Sequence, residues 1–260
     1  MPIANHLNLF VTAIRFYTRI PVSGSFPHSQ ELLNQSRAYL PSVGIIVGVI
    51  SAIVYLISRQ ALPISLSVIL AMLATAITTG AFHEDGLADT CDGFGGGWNK
   101  EQTLMIMKDS QIGVFGAIGL FFVLTIKFLA LIEITRNNYI HVACVLVFAH
   151  TLSRFYASSI IDFYSYVQNE DVSKVKQLVD KTLQTNLKYI GLTSAFVVTL
   201  LFLVLGQQTL VSIIFVILFS AVACWCFAAY CRHKIGGYTG DTLGASQQIS
   251  EITIYILLLV

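Results

Sequence analysis

Six apolar stretches, each long enough to cross a lipid bilayer, occupy residues 41–57, 64–82, 113–134, 139–161, 189–205 and 209–231. A span of hydrocarbon about 30 Å thick takes roughly 20 apolar residues as a helix. Helices satisfy every backbone N–H and C=O inside the segment, which hydrocarbon demands. A seventh apolar run, 249–260, offers a short span. The alternative is a soluble protein with buried helices. Only 11% of the 260 residues are charged, and mean hydropathy is +0.74. A soluble domain carries about a quarter charged residues, and one so poor in charge would expose large apolar patches. The expected fold is therefore all-α: a polytopic integral membrane helix bundle of about six to seven transmembrane helices. With no repeat and no low-complexity linker, residues 1–260 are expected to form a single integral membrane domain.

Ahead of the spans, Ile3, Leu7, Phe10, Ile14 and Tyr17 follow one helical stripe, while Asn8, Thr12, Arg15 and Arg19 follow the opposite one. That pattern suits an N-terminal interfacial helix lying along the membrane surface. Residues 171–183 suggest a second surface helix, with Val172, Val175, Val179 and Leu183 in phase. Gly44 and Gly48 form a small-xxx-small pair that lets another helix approach closely. The five cysteines show no metal-ligand spacing and read as small apolar side chains.

The connections alternate in character. Short ones hold only Arg59 and Arg136 as basic residues. The long ones hold Arg15, Arg19, Arg37, Lys100, Lys108, Lys174, Lys176, Lys181, Lys188, Arg232 and Lys234. Basic residues mark cytoplasmic loops, so the long connections are expected in the cytoplasm. Nearly all acidic residues lie there too, which makes that the active face.

The acidic residues concentrate in FHEDGLADTCDGFGGG, residues 82–97. Asp85, Asp89 and Asp92 are spaced i, i+4, i+7, so a helix would place three carboxylates on one face, with Glu84 beside them. Such crowding is costly next to a hydrophobic span, and a hard divalent cation is the usual compensation. Mg²⁺ takes one or two carboxylates and completes its shell with water and substrate phosphate. Glu84, Asp85, Asp89 and Asp92 are the candidate metal ligands. The glycines, Gly95 and Gly96 among them, argue against a long regular helix and for backbone close to a phosphate ligand. Lys108 can neutralise phosphate charge, and Asp109 can serve as ligand or base. Arg154, two turns inside a span, needs a carboxylate or an anionic ligand. The segment GGYTGDTLGASQQISE, 236–251, reads as a second substrate-contacting loop around Asp241.

Taken together these pieces resemble one family, the cobalamin synthases, or adenosylcobinamide-GDP ribazoletransferases. The matching segments are FYTRIPV (16–22), YLPSVGIIVG (39–48), HEDGLADTCDGFGGG (83–97), IMKDSQIGVFG (106–116), AHTLSR (149–154) and GGYTGDTLGASQQISE (236–251). They cover nearly the whole chain in family order. The resemblance implies an enzyme that joins adenosylcobinamide-GDP to α-ribazole, or its 5′-phosphate, releasing GMP. It implies Mg²⁺ as cofactor and the bacterial inner membrane as location, with no nucleic-acid partner; a homo-oligomer is compatible with it. The expected catalytic residues are Lys108, Asp109, Arg154 and His83; Asp241, Gly95, Gly96 and Arg19 are expected to contact substrate. The general base stays open among His83, Asp109 and Asp241.

Other classes are less consistent with the residues. A CDP-alcohol phosphotransferase expects an arginine after Asp-Gly-x-x-Ala, where this chain has Asp89. A prenyltransferase expects a second DxxxD helix, and residues 232–251 offer only Asp241 and Glu251. A cation-coupled transporter needs ionisable residues at mid-membrane on several helices, and only Lys127 lies deep in an apolar run.

Overall fold

The computed structural model describes residues 3–24, 29–135, 139–167, 181–205 and 208–260. The helix expected over 171–183 lies largely outside them. Among the described residues, α-helices follow one another in this order: α1 (Ile3–Tyr17), α2 (Gln30–Ser36), α3 (Leu40–Ser58), α4 (Ile64–Thr79), α5 (Phe82–Gly96), α6 (Lys100–Ile106), α7 (Val114–Thr135), α8 (Tyr139–Phe163), α9 (Lys181–Leu205), α10 (Leu210–Ile235) and α11 (Gly240–Leu257). The described residues contain no strand; a single parallel bridge, Tyr166 with Tyr238, ties the chain after α8 to the turn before α11. The protein is an all-α, multi-pass membrane protein.

Among the described residues four helices, those ending at Ser58, Thr135, Phe163 and Ile235, are long and apolar enough to cross a membrane, and α4 with α5 can form a fifth, sharply bent span. That is four or five spans among the described residues, beside the six to seven expected of the whole chain. The apolar part of α9, Tyr189–Leu205, is a shorter helix. The run 249–260 belongs to α11, whose interior positions Gln247, Gln248 and Glu251 are buried and polar.

Helix α8 is the most enclosed of the four long spans. It packs along α3, as the close approach expected at Gly44 and Gly48 requires: a methyl group on Gly44 would strike the His150 carbonyl, and one on Gly48 would lie 2.6 Å from Val147 Cα. By contrast, α7 and α10 leave most of their surface open, and Phe121, Phe122, Val211 and Leu218 point outward. In water such exposure would drive aggregation; in a bilayer it is the lipid contact. Polar α11 escapes lipid by lying among α5, α7, α8 and α10.

The N-terminal helix differs in detail from its expected faces. Leu9 and Ala13 are fully buried, in one cluster with Tyr39, Val43 and Val47. Leu7 and Phe16, by contrast, are exposed. A stripe read from one helix alone cannot anticipate which neighbour covers it.

Candidate active site

Helix α4 ends at Gly80 (φ 66°), and α5 starts from Ala81 (φ 57°), two successive left-handed residues that turn the chain by 88°. Glycine takes this conformation freely, whereas alanine there costs about 1 kcal/mol. Arg19 closes the corner: its backbone N–H donates to the Thr78 carbonyl at 2.7 Å, and its side chain lies against Gly80. Arg19 is thus at the edge of the acidic helix, with its side chain exposed.

Contrary to expectation, residues 82–96 form a regular helix despite their glycines. The glycines serve packing instead. A methyl group on Gly86 would lie 2.7 Å from the Asp241 carbonyl oxygen, and one on Gly244 would lie 3.2 Å from the carbonyl of His83. Small residues on both sides let α5 and α11 touch backbone to backbone. Gly95 faces the Phe115 ring and Gly96 the Ile106 side chain, so both glycines expected at substrate instead receive apolar neighbours. Residues 240–251, expected as a loop, are helical because Thr239 and Thr242 form a reciprocal capping box at the start of α11.

This contact brings carboxylates together from two helices. Asp85 is exposed and Asp89 partly so; Asp241, the second residue of α11, joins them. The charges of Asp85, Asp241 and Asp92 all bear on Asp89. Burial, and then the charge of Asp85, push the Asp241 carboxyl above the ordinary range, against the lowering effect of hydrogen bonds from its own backbone N–H and from the Thr239 hydroxyl. Asp241 therefore belongs with the carboxylates of α5.

Asp92, whose charge also bears on Asp89, has backbone partners of its own. It is buried, and its two oxygens accept from the backbone N–H groups of Gly113 (2.7 Å) and Gly116 (2.8 Å). Those groups open α7, so Asp92 caps that helix and pairs its positive end. Gly113 and Gly116 leave room for the carboxylate; a methyl group on either would strike it. Each oxygen accepts one backbone N–H, so Asp92 serves as a cap of α7.

Glu84 turns inward. Its Oε1 accepts from Gln248 Nε2 at 3.1 Å, while its Oε2 is buried with no hydrogen-bond partner. Below it, Arg154 is 1% exposed, and its Nη1 donates to the His150 carbonyl and to His150 Nδ1, both at 3.1 Å. A guanidinium only donates, so that nitrogen is the acceptor. Glu251, 3% exposed, accepts from Lys127 Nζ at 3.0 Å and from the Tyr255 hydroxyl at 3.0 Å on one oxygen, and from Gln247 Nε2 at 2.6 Å on the other. Arg154 is thus bonded to His150 alone, with its Nε buried and without a hydrogen-bond partner, and it feels the charges of Glu251 and Glu84 without touching either. His83 is buried in the same layer, with Phe82 edge-on to its ring. Lys108 and Asp109 are exposed after α6, where Asp109 Oδ1 accepts from the Gln111 N–H at 3.0 Å.

Among the described residues, no three His, Cys, Asp or Glu side chains converge closely enough to enclose a metal ion unaided. The donors nonetheless fit Mg²⁺. They are hard oxygens in mutual repulsion, one of them, Glu84 Oε2, buried and unpartnered. Mg²⁺ needs only one or two of them when water and phosphate supply the rest.

The chain matches the family model described as cobalamin-5-phosphate synthase over residues 9–259. Its curated relatives include proteins described as adenosylcobinamide-GDP ribazoletransferase. The one from Shewanella amazonensis is 44% identical over 97% of this chain and 95% of its own length. The one from Shewanella frigidimarina is 42% identical over 97% and 94%, respectively. No solved structure matches the chain. With the match running from α1 to the end of α11, the chain belongs to the cobalamin-5-phosphate synthase family.

Proposed function

We propose that this protein is an adenosylcobinamide-GDP ribazoletransferase: it joins adenosylcobinamide-GDP to α-ribazole, or its 5′-phosphate, and releases GMP. Family membership supplies the substrates. The structural observation behind the reading is the meeting of Asp85 and Asp89 with Asp241 at one end of the bundle, through the Gly86 contact. A pyrophosphate carries several negative charges, and a cluster of carboxylates repels it unless a divalent cation stands between. Mg²⁺, held by Asp85 and Asp89, or by Glu84 through its unpartnered Oε2, would supply charge neutralisation and an anchor for the phosphate oxygens.

The reaction is an in-line substitution. The ribazole 3′-hydroxyl oxygen bonds to the corrinoid-side phosphorus, the bond from that phosphorus to the bridging oxygen breaks, and GMP leaves carrying the bridging oxygen. The hydroxyl proton goes to Asp241. Of the three candidate bases it alone combines a place within reach of the Asp85 charge with a partly open surface. His83 lies too deep, and Asp109 sits on the outer loop. Lys108, exposed beside α5, balances charge on the departing GMP. Arg154, held by His150 with its Nε unpartnered, is the buried cation available to balance phosphate charge. The bias of basic residues toward the long connections supports a cytoplasmic carboxylate face, and the family supports the inner membrane as its location.

Purified protein should release GMP from adenosylcobinamide-GDP only when α-ribazole and Mg²⁺ are both present. Asp89→Asn should abolish the release while the protein still inserts. Turnover without divalent cation, or near-normal turnover by that variant, would overturn the reading.

A further inference from the structure

A directed series of hydrogen bonds runs from the buried Lys127–Glu251 pair up to the carboxylates. Glu251 can only accept, so the amide it meets must present its NH₂ group. Gln247 does so, donating to Glu251 at 2.6 Å and to the Ser153 hydroxyl at 2.9 Å. The carbonyl oxygen of Gln247 is thereby turned toward Gln248, whose Nε2 donates to it at 2.9 Å and to Glu84 Oε1 at 3.1 Å. An ionised Glu84 likewise only accepts, so the two carboxylates impose the same amide orientation from opposite ends, and Gln248 is held with its NH₂ group on one Glu84 oxygen. The other oxygen, Glu84 Oε2, has no partner, and neither has Gln248 Oε1. Gln247 and Gln248 are both at least 98% buried, so water does not compete for these contacts.

We propose that the Glu251–Gln247–Gln248 series positions Glu84 for the divalent cation, holding one oxygen so that the other stays free to ligate. The proposal rests on the reading of the acidic face as a divalent-cation site. Glu251, Gln247 and Gln248 are positioning residues: none reaches substrate, and each acts through the next. Buried partners of this kind orient metal ligands, and their loss weakens metal affinity about 10–100-fold. Lys127 and Tyr255 complete the device by keeping Glu251 in place.

The test uses Mn²⁺ as a paramagnetic stand-in for Mg²⁺. Its binding to purified protein in detergent, without substrate, is read from the loss of the free-ion signal in electron paramagnetic resonance. Gln248→Met keeps the apolar stem but removes the donor to Glu84. It should weaken Mn²⁺ binding by about tenfold or more and raise the Mg²⁺ concentration for half-maximal GMP release by a similar factor. Turnover at saturating Mg²⁺ should stay within roughly threefold, the split that marks a lost positioning contact. Gln247→Met leaves Gln248 in place but removes one of the two acceptors of its NH₂ group, and should shift both quantities in the same direction. Either variant that accumulates tests the idea. Unchanged Mn²⁺ binding in a folded variant, or equal loss of turnover at all Mg²⁺ concentrations, overturns it. Wild-type protein that binds no Mn²⁺ and turns over without Mg²⁺ would instead overturn the underlying metal-site reading.

Discussion

Replacing Asp92 by asparagine sets the two roles of the acidic helix against each other. In the native protein both carboxylate oxygens accept backbone N–H groups at the start of α7, at 2.7 and 2.8 Å. Bonds to a charged acceptor contribute about 1.5–3 kcal/mol each. Asparagine keeps one acceptor and turns its NH₂ group toward the other backbone N–H. One bond is lost, the remaining one becomes neutral, and two donors face each other in a buried place. The expected cost is about 2–4 kcal/mol, or roughly 5–15 °C in melting temperature for a chain of this size. Turnover by the surviving folded protein should keep its wild-type Mg²⁺ dependence. Asp89→Asn should behave in the opposite way, with an unchanged or slightly raised melting temperature, since a repelled charge is removed, and no GMP release. Melting curves in detergent together with Mg²⁺ titrations of GMP release decide the matter. Wild-type melting of Asp92→Asn combined with a lost Mg²⁺ response would refute the assignment of Asp92 as a cap.

Other substitutions probe the remaining contacts. Gly86→Ala would place a methyl group 2.7 Å from the Asp241 backbone oxygen; overpacking of about 1–3 kcal/mol should separate α5 from α11 and lower GMP release by at least tenfold. Gly96→Ala meets only the Ile106 methyl at 3.3 Å and should leave release unchanged; a large loss would restore Gly96 as a substrate contact. Lys127→Met leaves Glu251 buried without its cation and should cost about 3–5 kcal/mol, most of it recovered by adding Glu251→Gln, as measured by melting of the two variants. The carboxyl of Asp241 titrates higher in the folded protein than in the unfolded chain. The folded state therefore binds the proton more tightly, and metal-free protein should melt higher as pH falls from 7 toward the ordinary aspartate value near 4. Mg²⁺ at neutral pH should raise the melting temperature for the same reason, and a fall in either case would count against a repulsive carboxylate cluster.

The membrane class and the acidic segment were legible without any coordinates. Unbroken apolar runs leave a chain no other way to satisfy its backbone, and their positions match α3, α4, α7, α8, α9 and α10 closely. The motif 82–97 was found because charge beside a hydrophobic span is rare enough to need a reason. The span count was harder, because hydropathy registers the apolar residues of 249–260 but not the polar ones facing inward just before them. Glycine misled for a related reason. In solution it weakens a helix, yet Gly86 and Gly244 sit where α5 and α11 touch, and close packing outweighs a propensity cost of about 1 kcal/mol.

The acidic segment divides along the same line. By itself the sequence determined that carboxylates would share a helical face, since spacing of i, i+4, i+7 is a property of one helix. Only the tertiary structure decided which partners each of them meets. Asp92 is taken by the backbone of α7, Glu84 is turned toward Gln248, and Asp241 arrives from a helix some 150 residues further along the chain. Hydrogen bonds between elements distant in sequence leave no periodicity to read. That is why the Lys127–Glu251 pair and the two glutamines above it became visible only once α11 was seen packed against α5, α7 and α8.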